Sequence, residues 1–184
     1  MWDPYLNGIN KNLPEANIIF DRFHVIKQMN NALEKVRRAE QQHNQHLKNT
    51  RFLWLKNPKK LTEQQTSIID GLTKLDLKTA KAYQIKLALA RFWEIKFPKE
   101  AQSYLKKWYF WATHSRLDPI IEIARTIKLH WQGVINYTYS RITNGVVEGL
   151  NSKIKTAMKR AYGFKKLSYL KTIIYLVAGR LSFS

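Results

Sequence analysis

One carboxylate stands apart in this chain. The stretch Ser140-Arg141-Ile142-Thr143-Asn144-Gly145-Val146-Val147-Glu148-Gly149-Leu150-Asn151-Ser152-Lys153-Ile154-Lys155 reads as a loop feeding a helix, with Thr143 or Asn144 as its N-cap. On a helical wheel Asn144, Glu148, Asn151, Ser152, Lys155 and Lys159 share one face, while Val147, Leu150, Ile154, Met158 and Ala161 share the other. A helix packed by its apolar side therefore carries one acid among amides and lysines. From Ile123 to Ser184 there are eleven Lys or Arg and a single acid, Glu148. Surface salt bridging normally mixes the two signs. A lone carboxylate in so basic a segment can be an exposed residue favoured by the helix macrodipole. It can also be a functional acid held among cations.

Three other groups of residues could do chemistry. Asp21-Arg22-Phe23-His24 places an acid and an imidazole three positions apart at the start of a helix, where Asp21 also serves as an N-cap. His43 and His46 are three apart as well, but no nearby Cys or acid completes a metal set, so they read as surface polar residues. Arg51, Phe52, Trp54, Lys56, Lys59 and Lys60 interleave cations with aromatics, a pattern that holds phosphates and stacks bases. The same residues serve more commonly as loop anchors packed on a core.

These side chains need elements to position them. A short helix is expected from about Pro4 to Asn12, ended by Leu13-Pro14-Glu15. Ala16-Asn17-Ile18-Ile19-Phe20 reads as a short buried strand, the one convincing strand in the chain. A lone strand has no ladder for its N–H and C=O groups, so its partners must come from outside this sequence. Helices follow over Arg22–Leu47, with Phe23, Ile26, Met29, Leu33 and Val36 as the apolar stripe, and from Leu61 to Asp70-Gly71 with Thr62 as N-cap. Further helices cover Leu75–Lys96, Lys99–Thr113 and Asp118–His130. Ala82, Ile85, Leu89, Phe92 and Trp93 line one side of the first of these, and Tyr104, Leu105, Trp108 and Trp111 read as core on the second. After the Glu148 helix come a basic turn, Ala161 to Lys166, and a last helix from Leu167 to Leu181.

Composition bounds the function. The 184 residues include six Trp, nine Tyr and eight Phe, enough to bury a core, and no cysteine, which excludes disulfides and thiolate zinc sites. No apolar run reaches the length of a membrane span and no signal peptide opens the chain, so a cytoplasmic protein is expected. A formal net charge of +19 is costly in self-repulsion unless an anionic partner relieves it, and nucleic acid is the abundant cytoplasmic polyanion.

Phe20-Asp21-Arg22-Phe23-His24-Val25, the Asn144-to-Asn151 run and Lys159-Arg160-Ala161-Tyr162-Gly163 occur in an order and spacing that resemble the transposases of the ISL-three family of bacterial insertion sequences. Trp108-Tyr109-Phe110-Trp111-Ala112-Thr113-His114-Ser115-Arg116 also looks like that family, and the resemblance covers essentially the whole chain. It implies a DDE enzyme with an RNase H-like core, in which two Asp and one Glu hold two Mg²⁺ or Mn²⁺ ions for DNA strand cleavage and transfer. By resemblance Glu148 is the Glu of the triad and the metal ligand here. Asp21 and His24 match a D-x-x-H signature that supports the site, together with Asn144 and Asn151. Arg141, Lys153, Lys155, Lys159, Arg160, Lys165 and Lys166 would contact DNA.

The resemblance also implies a division of the chain. Residues 1–24 would be a remnant of the RNase H-like core, 25–139 an all-helical insertion, and 140–184 the returning core helices. The fold class expected is thus mainly α with one residual strand. The first catalytic Asp, three core strands and the DNA-reading N-terminal parts of the family have no counterpart in the sequence. Asp3 lies nearest to the place of the second Asp, at the end of a strand that would precede Met1, and the alternative is a residue before Met1. A chain read as this C-terminal fragment, with Met1 an internal methionine reused as a start, is expected to be inactive alone and to hold no metal stably. The family further implies transposon-end and target DNA as partners and assembly as a homo-oligomer. The rival expectation is a non-catalytic basic helical protein that binds DNA or RNA.

Overall fold

The computed structural model describes residues 3–140, 145–164 and 166–178. All regular structure among them is helical, and they divide into two compact units, Met1–Ile142 and Thr143–Ser184.

In the first unit α1 (Asp3–Asn12) is followed by a segment without regular structure, then α2 (Arg22–Gln41), α3 (Arg51–Leu55), α4 (Glu63–Thr73), α5 (Lys78–Phe92), α6 (Pro98–Thr113), α7 (Asp118–Leu129) and α8 (Trp131–Ser140). Two short 3-10 turns, Gln45–Leu47 and Pro58–Lys60, bracket α3. The long α2 packs on α5 and α7, α5 packs on α6, and α6 packs on α7 and α8. Side chains at helical spacing fill the space between them: Val25, Met29, Leu33 and Val36 from α2, Ile85, Leu89 and Phe92 from α5, Leu105 and Trp108 from α6, Ile120 and Ile127 from α7. Trp54 is fully buried against the edge of the Tyr83 ring, with centroids 5.3 Å apart.

Polar side chains fix how these helices meet. The N-cap position of α5 is Leu77, which has no side-chain acceptor. Glu40 of α2 takes that role, accepting from the backbone N–H groups of Lys78 and Thr79 at 2.8 and 2.7 Å and from Thr79 Oγ1 at 2.6 Å. Trp108 Nε1 donates to Ile85 O at 2.9 Å and Tyr104 Oη to Ala88 O at 2.8 Å, which sets α6 along α5. Lys86 is buried and donates from Nζ to the carbonyls of Trp54 and Leu55, closing the C-terminal end of α3. Thr62 is the N-cap of α4, as expected, and it forms a capping box with Gln65.

Several expectations need correction. Ala16–Phe20 is not a strand, and no strand occurs among the described residues. With no ladder partner its backbone turns to a helix instead: Phe20 N–H donates to Gly133 O at 3.0 Å and Asn136 Nδ2 to Ile18 O at 2.9 Å. Gly133 permits this approach, since a Cβ there would stand 2.5 Å from the Phe20 ring. The helix expected to Leu47 stops at Gln41, and Leu47 enters the core from a 3-10 turn. Phe23 leaves the predicted stripe and is 63% exposed, its place taken by Val25. The aromatic segment 50–60 divides: Trp54 is a core anchor, whereas Phe52 is 73% exposed. Trp111 likewise faces outward rather than into the core.

The second unit is a pair of helices, α9 (Gly145–Arg160) and α10 (Leu167–Ala178), packed on one another through a turn around Gly163. Gly163 has φ +104, in the left-handed region that favours glycine, and ends α9 as a basic turn. Leu150, Ile154, Ala157, Leu170, Ile173, Ile174 and Val177 are half-buried, and none of the side chains described in this unit is fully buried. The α9 apolar positions expected from the wheel agree at Leu150 and Ile154. Met158 and Ala161 are exposed.

Candidate functional site

Asp21 and His24 are placed by the start of α2. The Asp21 side chain accepts the N–H of Phe23 as an N-cap, leaving Oδ1 3.9 Å from His24 Nδ1. The local sequence explains the geometry: a short carboxylate just before the first helical residue reaches back over the first turn, and the residue three positions on lies above it. The pair occupies the end of the 16–20 segment, next to a surface cleft of about 530 Å³ lined in part by Asn17, Ile18, Phe20, His130 and Asn136. The Phe20 ring lies 4.8 Å from that of His130. Nothing in the sequence links His130 and Asn136 to this corner, because both come from residues more than a hundred positions away.

Glu148 stands in α9, within the first turn after Gly145, which is the position the macrodipole favours for an acid. Asn151, Lys153, Lys155, Lys159 and Arg160 follow along the same helix, and all five are exposed. Lys166 is exposed at the turn before α10. Arg141, Asn144 and Lys165, and the Thr143/Asn144 N-cap, lie outside the described residues, as do the side chains of Val147 and Glu148. Asp3 is the first residue of α1. The structure thus joins Asp21 to His24 in one unit and places Glu148 with its basic neighbours in the other.

A two-ion magnesium or manganese centre needs several oxygen ligands converging on one place. Among the described residues no group of three or more His, Asp or Glu could hold a metal ion. The Asp21 carboxylate is engaged with the Phe23 N–H and His24. The donors described here do not by themselves fit such a centre. His43 and His46 are both exposed and belong to no metal-binding group. Among the described residues no helix is long and apolar enough to cross a membrane.

The sequence is similar to known proteins. A family model of DDE transposases of the ISL3 type, described as "Transposase", matches residues 1–174. The chain is similar to the transposase for insertion sequence element IS1001 of Bordetella parapertussis, 27% identical over 92% of this chain and 44% of that protein. It is also similar to the transposase for insertion sequence element IS1557 of Mycobacterium tuberculosis, 30% identical over 65% of this chain and 27% of that protein. The chain therefore spans less than half the length of these curated relatives. No solved structure matches it. With a family match that takes in the D-x-x-H corner, the Glu148 helix and the basic turn after it, the chain belongs to the ISL3 family of transposases.

Proposed function

We propose that this chain provides the helical portion of a DDE transposase that cuts and joins DNA at insertion-sequence ends, with Glu148 as its acidic contribution to the reacting centre. The observation that carries this reading is the family match across residues 1–174, joined to the placement of the one acid of the basic 123–184 segment on a helix with exposed Asn151, Lys155 and Lys159. In this reading residues 1–24 belong to an RNase H-like core, 25–139 are a helical insertion, and 140–184 return to the core. Asp21 and His24 brace the corner at the start of α2. Arg141, Lys153, Lys155, Lys159, Arg160, Lys165 and Lys166 neutralise DNA phosphates, and Asn144 and Asn151 orient a phosphate or a carboxylate. A divalent ion, when bound, would activate the attacking oxygen, and its remaining ligands are not supplied by the described residues of this chain. The isolated 184-residue chain is accordingly inactive in strand cleavage.

The test is a cleavage assay of the purified chain with Mg²⁺ or Mn²⁺ on insertion-end DNA. No cleavage is expected, alongside salt-sensitive binding of the same DNA. Cleavage by the wild-type chain overturns the inactivity, and cleavage that survives Glu148→Ala overturns the assignment of the acid. A second reading, a basic helical DNA-binding protein without catalysis, draws on the absence of a three-ligand acidic or histidine cluster among the described residues. It predicts DNA binding indifferent to both metal and Glu148.

A further inference from the structure

The helix α6 has two faces of different character. Ala101, Leu105, Trp108 and Ala112 are buried and make its contribution to the core. At about 100° per residue the opposite side carries Lys106, Lys107, Phe110, Trp111 and His114, the last just past the helix end, within a stripe about 140° wide. All five are exposed, with Phe110 at 64% and Trp111 at 40%. Aromatic rings of this size are normally the first to be buried, so two adjacent exposed ones are not explained by folding. The Phe110 ring is also held in place. The His114 ring stacks on Phe110, with centroids 4.0 Å apart and planes 28° apart, and its Nδ1 lies 2.7 Å from Phe110 O.

We propose that this face of α6 is a stacking surface for unpaired bases of a DNA strand, with Lys106 and Lys107 on its phosphates. The inference rests on the reading of the chain as a DNA-acting protein and goes beyond it by assigning a strand-binding surface far from the Glu148 helix in sequence. Charge selects the occupant. The acid of α6, Glu100, stands in its first turn, seven residues before Lys107, or about 10 Å along the axis. A second copy of this chain would bring its own two lysines to the same face, whereas a polyanion relieves them. Ring geometry selects the form of the DNA. In a duplex the faces of the bases are covered by their neighbours, so flat exposed rings find partners only where bases are unpaired, and stacking there tolerates any sequence.

The experiment uses the full chain and two fluorescein-labelled probes at low salt: a thymine strand of about 20 nucleotides, long enough to cover one binding site, and an insertion-end duplex. The variant is Phe110→Ala/Trp111→Ala. Both residues are exposed, and an unchanged thermal melt checks that the fold is kept. The expected result is a loss of single-strand affinity of about tenfold or more, the scale of one or two lost base stacks, with duplex affinity changed less than about twofold. Single-strand binding that stays unchanged, or falls no more than duplex binding, overturns the surface while leaving the DNA reading in place. Failure of the wild-type chain to bind either probe overturns both. Lys107→Ala should weaken single-strand binding and flatten its salt dependence, and an unaltered salt slope counts against the proposal.

Discussion

The two units of this chain are built on different terms. Residues 3–140 close around a core in which Trp54, Phe92, Met29, Leu33 and Leu89 have almost no solvent exposure. In the α9–α10 pair no described side chain reaches that state, and Tyr175, Leu176, Leu167 and Tyr169 of α10 are all more than half exposed. Charge divides the same way. Every acid but Glu148 precedes Thr143, where Glu34 joins Arg37, Arg38 and Arg51, and Glu40 caps α5. Some acids of the first unit thus serve ion pairs and caps, while the described Lys and Arg side chains of the second are all exposed. The first unit closes a core and still leaves the α6 face open, whereas the described side chains of the second close no core. A helix pair with exposed apolar and basic faces has groups left for a partner.

The contrast can be broken by substitution. Trp54→Ala should cost about 3–5 kcal/mol in urea unfolding, because a fully buried indole leaves a cavity beside Tyr83. Tyr175→Ser on the exposed face of α10 should stay within about 0.5 kcal/mol. Equal costs would mean that the second unit has a core of its own.

Lys86 sharpens the account of the first unit. Burial pushes its ammonium down to about 8. An unfolded lysine titrates near 10.4, so between these values the unfolded chain still holds a proton that the folded chain has released. Stability then rises with pH across that window, and the cost of the buried charge is carried in full below pH 8. From pH 8 to 10 the wild type should gain roughly 2 kcal/mol relative to Lys86→Met. Parallel pH profiles of the two melts would contradict it.

Effects of a similar or smaller size follow from the caps. Glu40→Ala should cost about 1.5–3 kcal/mol, since two backbone N–H groups at the start of α5 lose a charged acceptor. Thr62→Ala, at a more exposed capping box, should cost about 1 kcal/mol. Both are read from denaturant midpoints, and the reverse order would mean that α4 carries more of the fold than α5.

What could be read in the sequence follows the same division. Periodicity located α5 and α6, because an amphipathic helix in a closed core advertises its buried stripe, as Ile85, Leu89 and Phe92 do, while the Thr62 cap and Asp118-Pro119 marked the starts of α4 and α7. It could not see that Ala16–Phe20 would rest on α8, since an apolar pentapeptide reads as a strand whatever later covers it. The cap of α5 by Glu40 was equally hidden, as the acceptor lies 38 residues from the amide it serves. Asp21 as an N-cap, with His24 above it, was legible because both partners are local. Trp108 and Trp111 are alike in composition and differ only in angle on α6, and the aromatic stripe alone did not separate them.

The proposal that decides the account is that Glu148 is the acid which meets DNA phosphate. The most direct measurement is the insertion-end duplex affinity of the wild-type and Glu148→Gln chains, first with a chelator and then with Mn²⁺. Without metal, a carboxylate near a phosphate repels it by about 1 kcal/mol at 4 Å even in water. Glu148→Gln should therefore bind roughly fivefold more tightly in chelator, and Mn²⁺ should narrow the gap. Equal affinities under both conditions would contradict the account.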